Sequence, residues 1–295
     1  MREAGINMPD SNDKLRPTQP YFVFDTADFR QEIYLQHGIS HFFTFHREAD
    51  VPLRYVPDGC LNLLFLYKEE RMDAVVSGTK LKFTYGRGKE QAEIFGVRFM
   101  PAIQPAIVNV TMRQVLDDAI PIRELLIGDD VWLEELSAER DFQKRIRIFL
   151  DAYAKTENAQ EKFTGKKALV QSVKQMVYDS NGKIRVSQMS AQTGYSERYI
   201  NRIFLEEMGF SPKTFCKMIQ FQYALDLLNY GKPENMTDAA VRMGYYDQPQ
   251  FIRDFQKYAG ITPGEYLKLR ETLGYQERIT NTGMTIKGMI AGGGD

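Results

Sequence analysis

The sequence predicts an α+β, multidomain chain: a β-barrel or β-sandwich with following helices, and then an all-α unit. Three observations lead there. Short aromatic and β-branched runs, separated by turn residues at about 8–12-residue spacing, occupy residues 20–100. From about residue 111 the apolar residues take up a helical period. Beyond residue 166 a helical pattern occurs twice, with its glycines at Gly194 and Gly244.

The size agrees with two domains, since 295 residues at about 100–200 per domain leave room for two. With 43% hydrophobic and 26% charged residues, the composition is that of a globular protein, not of a low-complexity chain. Nowhere does an apolar run reach the ~18 residues of a membrane helix. The opening segment MREAGINMPDSNDKLRPTQP has no apolar stretch of the secretory kind. Two cysteines, Cys60 and Cys216, are too few for a disulfide framework or a zinc cluster. A reduced, cytoplasmic setting is the expectation.

Residues 1–19 are expected to form a poorly ordered arm. Strands are expected at 21–24, 42–45, 51–56, 61–67, 81–85 and 93–99. The triplet Pro57-Asp58-Gly59 turns the chain, because proline presets φ, aspartate bonds back to the backbone and glycine accepts positive φ. Short helices are expected at 111–118 and 122–127. Residues 141–155 place Phe142, Ile146, Phe149, Leu150 and Tyr153 on one stripe, to pack on the barrel or on a second copy of itself. The first domain then covers 20–155, a polar linker 156–165, the helical unit 166–273 and a flexible tail 274–295.

The repeat carries the function. One copy has Ser190, Gly194, Tyr195, Phe204, Gly209, Pro212 and Phe215; the other has Ala240, Gly244, Tyr245, Phe255, Gly260, Pro263 and Tyr266. The spacing lengthens by one residue near Tyr246 in the second copy. Each pattern reads as a helix-turn-helix. The small residue lets two helices cross, the glycine takes the left-handed conformation that ends the first, and Ser196 or Asp247 caps the second. The second helix of each pair turns Ile200, Ile203 and Phe204, or Phe251, Ile252 and Phe255, inward. Outward it carries Arg198, Asn201 and Arg202 in one copy, and Gln248, Gln250 and Arg253 in the other. These are the side chains that read base edges, arginine on guanine and asparagine or glutamine on adenine. Ser196 and Lys213 are placed to touch phosphate. A connecting helix over 212–230 would span about 28 Å at ~1.5 Å per residue, comparable with the ~34 Å of one DNA turn. Residues 165–275 hold 15 Lys and Arg against 11 Asp and Glu, a modest positive balance in a chain of net charge −1.

On these residues, 166–273 resembles the AraC/XylS-type transcriptional regulators, in GYSERYINRIFLEEMGFSPKTF (194–215) and DAAVRMGYYDQPQFIRDFQKYAGITPGEYLKLR (238–270). The resemblance implies seven helices with two motifs entering successive major grooves. It puts Arg198, Asn201, Arg202, Gln248, Gln250 and Arg253 at the bases; Pro249 departs from the polar residue common at its position. VPLRYVPDGCLNLLFLY (51–67) and EIFGVRFMPA (93–102) resemble the barrel of a subset of these regulators. That likeness implies a cupin-like domain that senses a small molecule or dimerises. The expected partners are promoter or operator duplex DNA, a small-molecule effector, a second copy of the chain and, for an activator, RNA polymerase. No membrane partner, cofactor, metal or catalytic residue is expected.

Other readings stay open. His37, His41 and His46 lie close together, but His41 and His46 would face opposite sides of one strand, which disfavours a metal site. Cys60 and Cys216 read as small buried hydrophobes. Phe42, Phe43, Phe45, Tyr55, Phe65, Tyr67, Phe83 and Tyr85 either line a pocket or pack strands. A cupin-type enzyme with an accessory helical domain, or a protein-interaction adaptor, are the alternatives to a DNA-binding regulator.

Overall fold

The computed structural model describes residues 15–282 apart from 70, 87, 89, 158–164, 232 and 234. A short helix α1 (Pro20–Phe24) precedes strands β1 (Ala27–Ile33), β2 (Ile39–Arg47), β3 (Arg54–Tyr55), β4 (Asn62–Tyr67), β5 (Met72–Ser77), β6 (Thr84–Tyr85), β7 (Ala92–Phe99) and β8 (Ala119–Pro121). Helices follow: α2 (Val131–Ala138), α3 (Phe142–Glu157), α4 (Lys166–Asp179), α5 (Val186–Thr193), α6 (Glu197–Met208), α7 (Pro212–Tyr230), α8 (Met236–Arg242), α9 (Gln248–Ala259) and α10 (Pro263–Leu273). A strand β9 (Thr280–Asn281) comes after them. The segments expected to be helical near 111–118 and 122–127 are short 3-10 turns, Met112–Val115 and Ile122–Glu124.

Seven strands form one sheet in the order β8-β5-β4-β7-β2-β1-β9, and β3 pairs with β6 in a second, small sheet. The large sheet is antiparallel except where β9 joins β1 in parallel. Because side chains alternate along a strand, its two faces feed two different cores. Phe42, Leu63, Phe65, Phe95, Val97 and Phe99 belong to the first core. Phe43, Phe45, Leu64 and Ile94 belong to the second. A sheet buried on both faces needs apolar residues at successive positions, which is why Leu63, Leu64, Phe65 and Leu66 follow one another in β4 and Phe42 and Phe43 in β2.

The first core is closed by α2 and α3. Trp132 meets the rings of Phe65 and Phe149 edge-on, and Phe142 meets Phe95 likewise. It continues into α4, α5, α6 and the first half of α7, where Val173, Met189, Phe204 and Phe215 are buried. The second core joins α1 to the last half of α7 and to α9 and α10, through Phe22, Phe24, Leu225, Phe255 and Tyr266. The helix expected to be a rod between two motifs is thus a central element whose two halves sit in different cores.

Several expectations need correction. Residues 21–24 form a helix, not a strand: Pro20 starts it well, and the run is buried on every side, so periodicity could not set its type. The arm expected to be poorly ordered is packed from residue 15 on, where Leu15 is buried and Gln19 bonds to Val56 and Asp58; residues 1–14 lie outside the described residues. Strands β1, β5 and β8 and helix α2 stand where the sequence predicts no element. Thr156 and Glu157, placed in the linker, end α3, and 158–164 lie outside the described residues. The tail is ordered as far as Thr282. Tyr275 is buried, Arg278 donates to the carbonyls of Val23 and Thr26, and β9 pairs with β1; residues 283–295 lie outside the described residues. Finally, Phe142, Ile146, Phe149 and Tyr153 are buried against the chain's own sheet, so that stripe is not free to receive a second copy.

Candidate nucleic-acid interface

The two helix-turn-helix units close their turns with the same backbone device. Helix α5 ends on Gly194 at φ 74°, and the turn after α8 passes through Gly244 at φ 75°. An L side chain rarely adopts that region, which is the reason glycine stands at both positions. The following helix is capped by a side chain in each case. Ser196 Oγ accepts from the Tyr199 amide at 3.3 Å, and an Asp247 carboxylate oxygen accepts from the Gln250 amide at 2.7 Å. The second helix of each unit, α6 or α9, ends on a left-handed glycine, Gly209 or Gly260.

The inward faces are as expected: Ile200, Ile203, Phe204, Phe251 and Phe255 are buried, while Ile252 is only half-buried. Among the outward residues, Arg198, Arg202 and Arg253 are exposed, and Asn201, Gln248 and Gln250 are half-buried. Arg198 and Arg253 make no hydrogen bond or ion pair with a described residue. Arg202 pairs with Glu206 at 3.0 Å and lies 5.1 Å from the Tyr199 ring centroid. Asn201 donates to the Glu197 carbonyl at 2.8 Å, and Gln248 accepts from the Thr237 hydroxyl at 2.8 Å. Lys213 is exposed in the first turn of α7, and Ser196 is exposed while serving as cap.

Two residues that the repeat marks only by spacing, and not as contacts, stand at the surface. Tyr195 stacks on Tyr199 with centroids 5.1 Å apart and rings 15° from parallel, extending the aromatic edge of α6 beside Arg202. Its counterpart Tyr245 is 8% exposed, against 46% for Tyr195. Tyr246, the inserted residue, is 95% exposed at the turn. A mismatch in repeat spacing was the sequence signal for it.

The far ends of α6 and α9 rest on the N-terminal half. A side chain at Gly209 would meet the backbone of Arg113 at 3.1 Å, and one at Gly260 would meet the Phe83 ring at 2.8 Å. The Tyr21 hydroxyl donates to the Ala259 carbonyl at the end of α9. Each of these helices is therefore held at its C-terminal end, and the outward polar residues lie on its N-terminal half.

The histidines do not converge: His41 is buried, and His37 and His46 are exposed. Cys60 and Cys216 are buried, and burial raises both thiols, Cys216 to about 11. No helix among the described residues is long and apolar enough to cross a membrane.

Known proteins resemble this chain in two stretches. A family model described as a helix-turn-helix domain matches residues 189–269, and one described as a domain of unknown function (DUF6597) matches residues 32–121. The HTH-type transcriptional regulator YtdP of Bacillus subtilis is 25% identical over 96 residues, which cover 32% of this chain and 12% of that protein. An HTH-type transcriptional regulator of Staphylococcus aureus is 28% identical over 83 residues, 28% of this chain and 11% of that protein. This chain thus spans a small part of the length of the curated relatives it matches. Among solved structures, a probable AraC family transcriptional regulator from Rhodopseudomonas palustris is 32% identical over 34% of this chain and 95% of that one, with a TM-score of 0.31. ToxT from Vibrio cholerae is 11% identical over 82% of this chain and 99% of that one, with a TM-score of 0.44.

Proposed function

We infer that this chain, whose C-terminal half carries an AraC-type helix-turn-helix domain, is a sequence-specific DNA-binding transcription regulator acting in the cytoplasm. The observation that carries this is the doubled unit: two reading helices, each capped by a side chain, each ended by a left-handed glycine and each polar outward. Helix α7, about 28 Å long at ~1.5 Å per residue, joins them over a distance near one turn of duplex.

In this reading the capped N-terminal ends of α6 and α9 enter adjacent major grooves. Arg198, Asn201 and Arg202 meet bases in one, and Gln248, Gln250 and Arg253 in the other. Asn201 and Gln248 exchange their present partners, Glu197 and Thr237, for base edges. Ser196 and Lys213 bond phosphate and set register without reading sequence. The function is equilibrium binding, and no chemical step is assigned. The N-terminal half, which touches the ends of both reading helices, senses a small molecule and passes the signal through that contact. A second copy or RNA polymerase would bind through surfaces other than the buried stripe of α3.

Selection of sites from random duplex DNA by the full chain tests this. The expected product is a bipartite motif with half-sites about one turn apart, bound with a steep loss of affinity as salt rises. Recovery of no enriched sequence, with binding equal on all duplexes, would overturn sequence-specific recognition.

A further inference from the structure

An exposed tyrosine stands immediately before the cap of each reading helix: Tyr195 precedes Ser196, and Tyr246 precedes Asp247. The repeat does not pair these two. By spacing Tyr195 answers to Tyr245, and Tyr246 is the residue without a counterpart. The fold pairs them by place. Tyr245 turns inward, its ring centroid 5.3 Å from that of Phe251, and Tyr246 takes the outward position at the turn.

A large side chain before a cap commonly packs on the fourth residue of its helix and fixes the angle at which the chain enters. In α9 that fourth residue is Phe251, and Tyr245 already packs on it. Tyr246, 95% exposed, is therefore not needed for the fold. In α6 the fourth residue, Ile200, is buried, and Tyr195 lies instead on the exposed Tyr199 ring, which also has the Arg202 guanidinium close by. That stack holds the Tyr195 ring at the surface. Neither the Tyr195 nor the Tyr246 hydroxyl has a hydrogen-bond partner among the described residues. The two caps differ in a way that bears on this. Ser196 is a hydroxyl that can itself approach a phosphate, whereas Asp247 is a carboxylate, which a phosphate repels. Tyr246 gives the second unit a neutral donor beside its acidic cap.

We propose that Tyr195 and Tyr246 contact the DNA backbone: each donates its hydroxyl to a phosphodiester oxygen on the rim of the groove that its helix enters, with its ring against the adjoining sugar. The proposal rests on the DNA-binding reading above and deepens it. A residue ahead of the cap lies outside the turn that enters the groove, so it meets the strand at the edge and not the bases on the floor. Tyrosine is among the side chains that bond phosphate oxygens, and such contacts fix register without reading sequence. Its ring has few rotatable bonds, so little freedom is lost when it docks.

Tyr195→Phe, Tyr246→Phe and the double variant of the full chain test it, with affinity read on the selected duplex and on an unselected one. Loss of one hydroxyl should weaken binding about threefold to tenfold, the size of one hydrogen bond. The factor should be the same on both duplexes, since phosphate carries no sequence. The double variant should show the product of the two factors, because the residues act in separate half-sites. The salt slope should stay as in wild type, since a neutral hydroxyl releases no counterion. Melting should also match wild type, because both rings remain. A scan with single methylphosphonates locates each contact: one position on the rim of the second half-site should weaken wild type but not Tyr246→Phe, and one in the first should do the same for Tyr195→Phe. Phe variants that bind as wild type does, losses confined to the selected duplex, or a changed base preference would each overturn the proposal. The two readings fail differently. A wild-type chain that binds no duplex loses the DNA-binding reading and the tyrosine contacts with it. One that yields a bipartite motif and keeps its affinity in both Phe variants loses only the tyrosine contacts.

Discussion

The two helix-turn-helix units share their punctuation and differ in what holds them. The first shares the apolar core of the N-terminal half and adds polar ties to it. Lys174 and Tyr178 of α4 donate to the carbonyls of Ala102 and Pro101, and α6 ends against Arg113. The second is held through rings. Tyr21 and Phe83 meet the end of α9, and Phe24 meets Tyr266 of α10 edge-on. Their outer faces differ as well. Arg202 is held by Glu206, which Lys166 also pairs at 3.2 Å, whereas Arg253 has no such partner among the described residues. Repeated caps fix the shape of a motif; its attachment is settled separately for each copy.

The largest test of that contrast is in the second core. Phe255, 1% exposed and packed on Phe221, Phe251 and Tyr266, should cost about 3–5 kcal/mol when cut to alanine. A denaturant melt of Phe255→Ala measures it, and a loss below about 1 kcal/mol would show that the second unit does not depend on its rings.

The polar attachment predicts a pH effect. Burial pulls the Lys174 ammonium down to about 8, so the folded chain holds that proton less tightly than the unfolded one. The penalty is full below about pH 8 and is relieved as pH rises toward the ordinary lysine value of about 10.4. Across that window the wild-type chain should gain on the order of 3 kcal/mol relative to Lys174→Met. Parallel stability profiles of the two proteins would mean that the lysine is solvated in the native state.

On DNA, Arg253→Ala should weaken the selected site by about 1–3 kcal/mol and relax one base position, with no change in melting. Arg202→Ala should cost less, since its guanidinium must first leave Glu206. An equal loss in both variants would erase the difference between the outer faces. The smallest effect is at a cap: Asp247→Ala should lower stability by about 1 kcal/mol, read by the same melt.

Much of the helical half is legible in the sequence because its signals are local. Gly194, Gly209, Gly244 and Gly260 each answer a backbone demand at their own position, and Ser196 and Asp247 cap helices that begin at the next residue. The outward and inward faces of α6 and α9 follow from helical spacing, with Ile252 the exception. Less of the N-terminal half is legible. Residues 21–24 offer four apolar side chains and no alternation, which a buried helix and a buried strand share. The segment after Leu273 is polar in composition, so nothing in it announces that Tyr275 enters a core or that residues 280–281 extend a sheet. Arg98 reads as one charge in a strand, and only the pairing of β7 with β2 and β4 puts it at a cavity.

By itself, the sequence determined where the second helix of each repeated unit starts and stops, which side of that helix is polar, and that two such units stand in one chain. Those properties depend on φ, on caps and on side-chain periodicity, all settled within a few residues. The tertiary structure alone decided that the sheet is buried on both faces, that the two halves share two cores, and that the second unit is clasped by aromatic residues from the chain's other end. These are contacts between residues far apart in sequence. A Phe83 or a Tyr21 is equally apolar wherever it packs, and only the summed burial of the whole chain selects its partner.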